Sequence, residues 1–223
     1  MKKILCIIPA RENSKRLIGK NNKIFFNKPL VFWTLRFASK LNYIAKIIFT
    51  SDSKKILDIA KPFKKISRKL RPKKLAKDNT LMKDVVSYVL EKDGCEYDGL
   101  LILQPTTPFR NLEKFNLYLS KFNNENYYSV TTKQKSNHKC YIKNKKLFFS
   151  KKGRICYQTG SLILVSCKNF LKKNSLRISN SIPIIFNNRY ENFDIDKFAD
   201  FKASLNFFKK RRRFNDYFLN KNL

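Results

Sequence analysis

A short apolar run, Ile4–Ile8, stopped by Pro9 and opening into a polar loop, constrains this chain more than any other stretch. A buried parallel strand reads as such a run closed by breakers, and open α/β sheets place ligands beyond the carboxyl ends of their strands. The loop carries Arg11, Lys15, Arg16 and Lys20, with small or amide groups at Asn13, Ser14, Gly19 and Asn21. Cations and free N–H groups in that place make a cradle for a polyphosphate. Neither GxxxxGK[ST] nor GxGxxG occurs here, so it is no Walker loop and no dinucleotide fingerprint. A solvated basic loop is the competing reading of this stretch alone.

The same grammar repeats downstream. Strands are expected over Ile4–Pro9, Ile44–Thr50, Asp98–Leu103, Tyr128–Thr131 and Leu162–Val165. Helices are expected over Pro29–Leu41, Lys54–Lys61, Thr80–Lys92, Glu113–Phe122, near Lys168–Leu171, and over Asp196–Phe208, where Phe198, Phe201, Leu205 and Phe208 recur at helical spacing. Ser51 or Ser53 is placed to cap the second helix. The alternation predicts an α/β fold, a mostly parallel Rossmann-like sheet flanked by helices with right-handed crossovers. We expect one domain over residues 1–208 and a basic tail over 209–223. The polar, lysine-rich stretch Gln134–Lys152 reads as a loop or an arm that orders against a partner.

Several function classes are set aside by the totals. A chain of 223 residues supports one full hydrophobic core. No run of 18 apolar residues is present, so no membrane partner is expected. Cys6, Cys95, Cys140, Cys156 and Cys167 are scattered without a CxxC pair, which suggests reduced thiols in the cytoplasm. The formal charge of +33 invites nucleic acid, but the cations are spread along the whole chain, so dedicated nucleic-acid binding is not expected. His138 is the single histidine, which removes a His-based triad or a multi-His metal site. Cys6 and Cys156 sit in apolar surroundings and read as core.

Four features fall just after strands. The first is the opening loop, and the second is Arg71-Pro72 with Asp78 beyond it. The third is Leu103-Gln104-Pro105-Thr106-Thr107-Pro108-Phe109-Arg110, where two prolines fix the backbone while a Gln, two hydroxyls and an Arg project. The fourth is Asp194-Ile195-Asp196, with Asp200 one helical turn later. In extended geometry residues i and i+2 share a face, so Asp194 and Asp196 can point together at a hard cation. With 16 acidic residues against 49 basic ones, adjacent aspartates are informative. Taken singly each has a plainer role: Asp196 as helix N-cap, Asp194 in an ion pair, Gln104 as a loop amide, Asp52 as a helix-entry carboxylate. The set suits displacement at phosphorus, which needs positioning and charge neutralisation more than a protein nucleophile.

These blocks resemble the cytidylyltransferases that activate nine-carbon acidic sugars: the CMP–sialic acid synthetases and their legionaminate and pseudaminate relatives. Pro9-Ala10-Arg11-x-Asn13-Ser14-Lys15-Arg16-Leu17-x-x-Lys20-Asn21 is similar to the family's triphosphate loop. Arg71-Pro72-x-x-Leu75-Ala76-x-Asp78 resembles its RPxxLAxD block, Leu103–Arg110 its LQPTSPLR block, and Asp194-Ile195-Asp196 with Asp200 its DIDxxxD block. Trp33-Thr34 and Ser51-Asp52 fall where the family has W-T and S-T-D, and the order holds from residue 4 to about residue 205.

The resemblance implies a nucleotide-diphospho-sugar transferase type of fold. It also implies reaction of CTP with the anomeric hydroxyl of a nonulosonic acid, giving the CMP-sugar and pyrophosphate. By that likeness Ala10, Arg11, Asn13, Ser14, Lys15, Lys20, Asn21, Ser51, Asp52 and Arg71 serve the nucleotide, with Arg71 at its cytidine end. Gln104, Thr106, Thr159 and Gly160 face the sugar, and Asp194 and Asp196 bind Mg²⁺. Arg11, Lys20 and Asp196 are the catalytic candidates. A homodimer with an arm over 133–157 is implied as well. The chain departs from the pattern at Thr159-Gly160-Ser161, where relatives have Asn-Gly-Ala, at Phe193, and in an arm lacking an RQ-type element. The Lys15-Arg16 and Lys20-Asn21 pairs argue against the Kdo-activating relatives. The alternative is a nucleotide- or polyanion-binding protein of the same fold without catalysis.

Overall fold

The computed structural model describes residues 2–124, 127–134, 150–151, 154–176, 182–185, 191 and 193–209. β1 (Ile4–Pro9) is buried along its whole length, as its composition requires. β2 (Ile24–Phe25) and β3 (Lys28–Pro29) pair as a small antiparallel ribbon leading into α1 (Leu30–Ser39). Pro29 pre-sets the entry to that helix, where its missing N–H costs nothing. The Trp33 indole N–H donates to the Phe25 carbonyl at 2.8 Å, tying ribbon to helix.

There follow β4 (Ile44–Ser51), α2 (Lys54–Asp58), β5 (Ile66–Leu70), α3 (Met82–Asp93), β6 (Gly99–Ile102), α4 (Leu112–Ser120) and β7 (Tyr127–Gln134). The remaining elements are β8 (Ser150–Lys151), β9 (Arg154–Ser166), α5 (Cys167–Lys173), β10 (Ile182–Ile185) and α6 (Phe198–Lys209). The sheet runs β10-β7-β9-β6-β1-β4-β5, with β8 beside β9. β1 lies parallel to β4 and β6, β4 to β5, and β10 to β7, while β9 runs antiparallel between β6 and β7. The mostly parallel α/β expectation therefore holds.

Alternation along β1 sets the two layers. Ile4, Cys6 and Ile8 pack on the side covered by α1, α2 and α4 through Val31, Leu35, Ile56, Leu57, Phe115 and Leu119. Leu5 and Ile7 face α3 and α5 through Val86, Val89, Leu90 and Phe170. A third cluster joins Leu17, Phe25, Leu30, Trp33, Phe109, Ile195 and Phe201, so the loops after β1 and β6 share a core with α6. The chain steps outward from β1 to β4 and β5, then returns to β6 on the opposite side. That is a topological switch point, and the crevice beyond the ends of β1 and β6 is the place such folds keep a ligand.

The expected helix over Lys54–Lys61 narrows to Lys54–Asp58, and the closing helix begins at Phe198, not Asp196. Ser53 occupies the N-cap of α2, but its hydroxyl donates to the Glu12 carboxylate at 2.9 Å. Most of the expected arm and nearly all of the basic tail lie outside the described residues. No helix among the described residues is long and apolar enough to cross a membrane.

Candidate active site

A cleft of about 280 Å³ opens at that switch point. Arg11, Ser14, Arg16, Lys20 and Asn21 line it from the loop after β1, Gln104, Pro105 and Thr106 from the loop after β6, and Asp196 from the segment before α6. The Arg71 side and the turn after it contribute Leu75, Ala76, Lys77, Asp78 and Thr80, and α3 contributes Met82 and Val85. Eight of the site candidates, Arg11, Ser14, Lys20, Asn21, Arg71, Gln104, Thr106 and Asp196, thus meet in one hollow. Leu75 and Ala76 are marked only by the likeness of their block to RPxxLAxD, and Lys77, Thr80, Met82 and Val85 carry no signal in the sequence, since they are apolar or ordinary surface types.

The loop cations are held in pairs. The Asp78 carboxylate accepts from Arg11 at 2.8 Å and pairs with Lys15 at 2.9 Å. Hydrogen bonding from the Lys15 ammonium is the largest influence on the Asp78 carboxyl; burial opposes it, Arg11 adds to it, and the net shift is below the ordinary range. Asp196 is gripped on both oxygens, by Lys20 and by Arg16, each at 2.9 Å. Lys20 is nearly buried, with its side chain 9% exposed, whereas the Lys15 side chain is 82% exposed. Lys20 thus sits on the inner side of the loop and Lys15 on its outer side, each with a carboxylate partner. The Asn21 amide donates to the Arg11 carbonyl at 2.8 Å, so Asn21 braces the loop from within.

Other nucleotide candidates stand behind this wall. The Ala10 N–H donates to the Thr50 carbonyl. The Asp52 carboxylate accepts the Glu12 N–H at 3.0 Å, and the buried Ser51 hydroxyl accepts the Ser53 N–H at 3.2 Å. Asn13 is exposed on the rim. Arg71 is buried: it donates to the carbonyls of Thr50 at 2.6 Å and Leu75 at 3.2 Å, and burial lowers its pKa. It anchors the turn that forms the 75–78 wall.

On the opposite wall Gln104 lies directly over Gly160. A Cβ at Gly160 would sit 2.4 Å from the Gln104 amide oxygen, so a larger residue there would push the Gln104 amide aside. Thr159 belongs to β9, and its side chain lies outside the described residues. Arg110, expected to project from this loop, turns inward instead and is 2% exposed. It bridges Gln104, Thr107, Thr34 and Ser161. Burial pulls its pKa down to about 9, which leaves the guanidinium charged at neutral pH. Burial likewise pushes the Cys6 thiol up to about 12, in keeping with a core residue.

Of the aspartate pair, Asp196 lines the cleft and the exposed Asp194 does not. Ile195 is fully buried, and its N–H donates to the Thr106 carbonyl at 2.7 Å, stitching this segment to the loop after β6. Asp194 keeps one side open to solvent, yet the protein packed around it raises its carboxyl pKa; the nearby Thr106 hydroxyl opposes the rise and the Asp196 charge adds to it. Asp200, in the first turn of α6, reaches back so that its carboxylate accepts the N–H groups of Asp196 and Lys197 at 3.1 and 2.7 Å. Two hard carboxylates that feel each other's charge fit a hard divalent cation, which takes few protein oxygens and fills its shell with water and phosphate. Phe193, the departure before this pair, packs against Phe109 and Phe207 in the third core.

This chain is similar to known proteins along most of its length. The family model described as cytidylyltransferase matches residues 5–221. The CMP-N,N'-diacetyllegionaminic acid synthase of Legionella pneumophila is 28% identical over 87% of this chain and 91% of its own length. The N-acylneuraminate cytidylyltransferase of Escherichia coli is 34% identical over 60% of this chain, a match that spans 32% of that longer protein. Among solved structures, a CMP:2-keto-3-deoxy-manno-octonic acid synthetase complexed with CTP superposes with a TM-score of 0.68, covering 93% of this chain and 99% of that one. At 16% identity this is a likeness of fold. Matched along nearly its whole length, with its charged loops gathered at the sheet's switch point, this chain belongs to the cytidylyltransferase family.

Proposed function

We propose that this protein transfers the cytidylyl group of CTP to the anomeric hydroxyl of a nine-carbon 3-deoxy sugar acid, of sialic, legionaminic or pseudaminic type, releasing pyrophosphate. The observation that carries the reading is the convergence in one cleft of the loop cations Arg11, Arg16 and Lys20 with Asp196 and, across from them, Gln104 and Thr106. Displacement at phosphorus needs charge neutralisation and alignment more than a nucleophilic side chain. Arg11, Lys15 and Lys20 exchange their carboxylate partners for triphosphate oxygens, which take bidentate and point-charge contacts of the same kind.

Arg71 holds the 75–78 turn against which the cytidine rests, and Gln104, set over Gly160, contacts the sugar. Asp194 and Asp196 would hold Mg²⁺, which supplies charge neutralisation on phosphate oxygens when bound. Lys20, nearly buried between loop and Asp196, steadies the charge that develops on the departing pyrophosphate. The large positive charge draws both anionic substrates towards the protein. By likeness to the family we read the protein as a cytoplasmic homodimer; light scattering of purified protein tests the dimer.

The substrate is tested by pyrophosphate release with CTP and Mg²⁺, offering sialic, legionaminic, pseudaminic and Kdo acids in parallel. Release with a nonulosonic acid and none with Kdo is expected. Tight CTP binding without release for any acid would favour the non-catalytic binder.

A further inference from the structure

We propose that Arg110 is a positioning residue for sugar recognition, its buried guanidinium holding the backbone on both sides of the Gln104–Gly160 contact. The proposal rests on the reading of Gln104 as a sugar contact. Arg110 heads the largest fully buried side chains. Its Nη2 donates to the Gln104 carbonyl at 2.7 Å and the Thr107 hydroxyl at 2.8 Å, its Nη1 to the Thr34 hydroxyl at 3.1 Å, and its Nε to the Ser161 carbonyl at 2.9 Å. The Thr107 N–H and hydroxyl also converge on the Gln104 carbonyl, at 3.3 and 3.2 Å.

One side chain therefore joins the backbone of Gln104 to that of Ser161, the neighbour of Gly160 in β9, and anchors both to α1. The Gln104 amide lies so close over Gly160 that a Cβ there would meet its oxygen at 2.4 Å. A shift of either backbone would re-aim the amide. If filling space were the whole task, an apolar residue would serve without the cost of burying a charge. A planar fork with five donors is what spans acceptors on three elements; a lysine has the charge but a single nitrogen.

The test compares wild type, Arg110→Lys, Thr107→Val and Gln104→Ala in the full chain. Kinetics use CTP and whichever of sialic, legionaminic and pseudaminic acids the wild type turns over. The expected result for Arg110→Lys is a KM for the acid raised on the order of tenfold with KM for CTP within about twofold, since small misplacement of a contact group has large effects. Added to Gln104→Ala, Arg110→Lys is expected to have little further effect, as two residues acting through one contact are not additive.

A second readout needs no turnover. The side-chain amide NMR signals of Gln104, identified by their loss in Gln104→Ala, are expected to shift or broaden in Arg110→Lys. Additive losses, KM rising equally for both substrates, or unmoved amide signals would overturn the proposal. If the wild type uses no acid, the substrate reading fails while the amide signals still decide the role of Arg110. If Arg110→Lys does not fold, Thr107→Val, which keeps shape and removes one acceptor, decides by the same readouts.

Discussion

The two loops that wall the cleft are secured by opposite means. The loop after β1 has Lys20 and Asn21 holding its inner turn, but its outer cations are tied by ion pairs in contact with water, Arg11 and Lys15 on Asp78, Arg16 on Asp196. The loop after β6 is fixed from beneath by the buried Arg110, through neutral carbonyls and hydroxyls. Exposed ion pairs contribute about 0–1 kcal/mol and are screened by salt, so they can be exchanged for an arriving anion. Donors lost from buried acceptors leave unsatisfied groups at about 1–3 kcal/mol each, so the second loop does not rearrange. The difference assigns adaptation to the phosphate side and rigidity to the sugar side.

The strongest way to break that division is Asp196→Asn. It removes one proposed ligand and the partner of both Lys20 and Arg16, and turnover with CTP and Mg²⁺ is expected to fall on the order of 10³-fold. Circular dichroism should show the fold intact; a rate near wild type would sink the metal assignment. Next comes Arg110→Met, expected to destabilise by about 3 kcal/mol in urea unfolding because its acceptors are stranded. A midpoint within error of wild type would mean the buried anchor is dispensable.

Arg11→Ala sharpens the contrast from the exposed side. It should lower kcat/KM for CTP on the order of tenfold, with an effect on urea midpoint below about 1 kcal/mol, as expected for an exchangeable exposed pair. An unchanged kcat/KM for CTP would count against the phosphate cradle. The smallest effect is expected away from the cleft at Asp93, which pairs with Lys46 at 3.0 Å and with Lys69. Burial raises its pKa, but the hydrogen bonds from Lys69 and Lys46 prevail and the net shift is downward. Stability from a depressed carboxylate is present above the unfolded value and lost as pH falls through the folded one. Asp93→Asn should therefore cost about 1 kcal/mol at neutral pH, a difference that fades below the ordinary value of 3.8. A pH-independent difference would contradict the charge argument.

Much of this was legible in the sequence where one physical force dominates. β1 and β6 are buried on both faces, as is β4 from Ile47 onward, so their apolar runs declare them. β5, with the sequence Ile-Ser-Arg-Lys-Leu at the sheet's edge, exposes charged side chains and escapes that reading. β10 is short, carries Pro183 and sits at the opposite edge, where proline is tolerated. β9 extends well beyond Leu162–Val165 because its polar first half pairs with β7. At the site, chemistry marked the loops but not the direction of their side chains. Arg110 and Arg11 look alike in sequence, yet one turns to the core and the other to the cleft. The pairing of Asp78 with Arg11 joins residues 67 positions apart, which no local pattern reveals.

The central claim is cytidylyl transfer, and labelled CTP tests it most directly. With the purified protein, Mg²⁺ and a nonulosonic acid, label in the α-phosphate is expected in the sugar product and label in the γ-phosphate in pyrophosphate. Release of γ-label as free phosphate, or retention of all label in bound CTP, would contradict it.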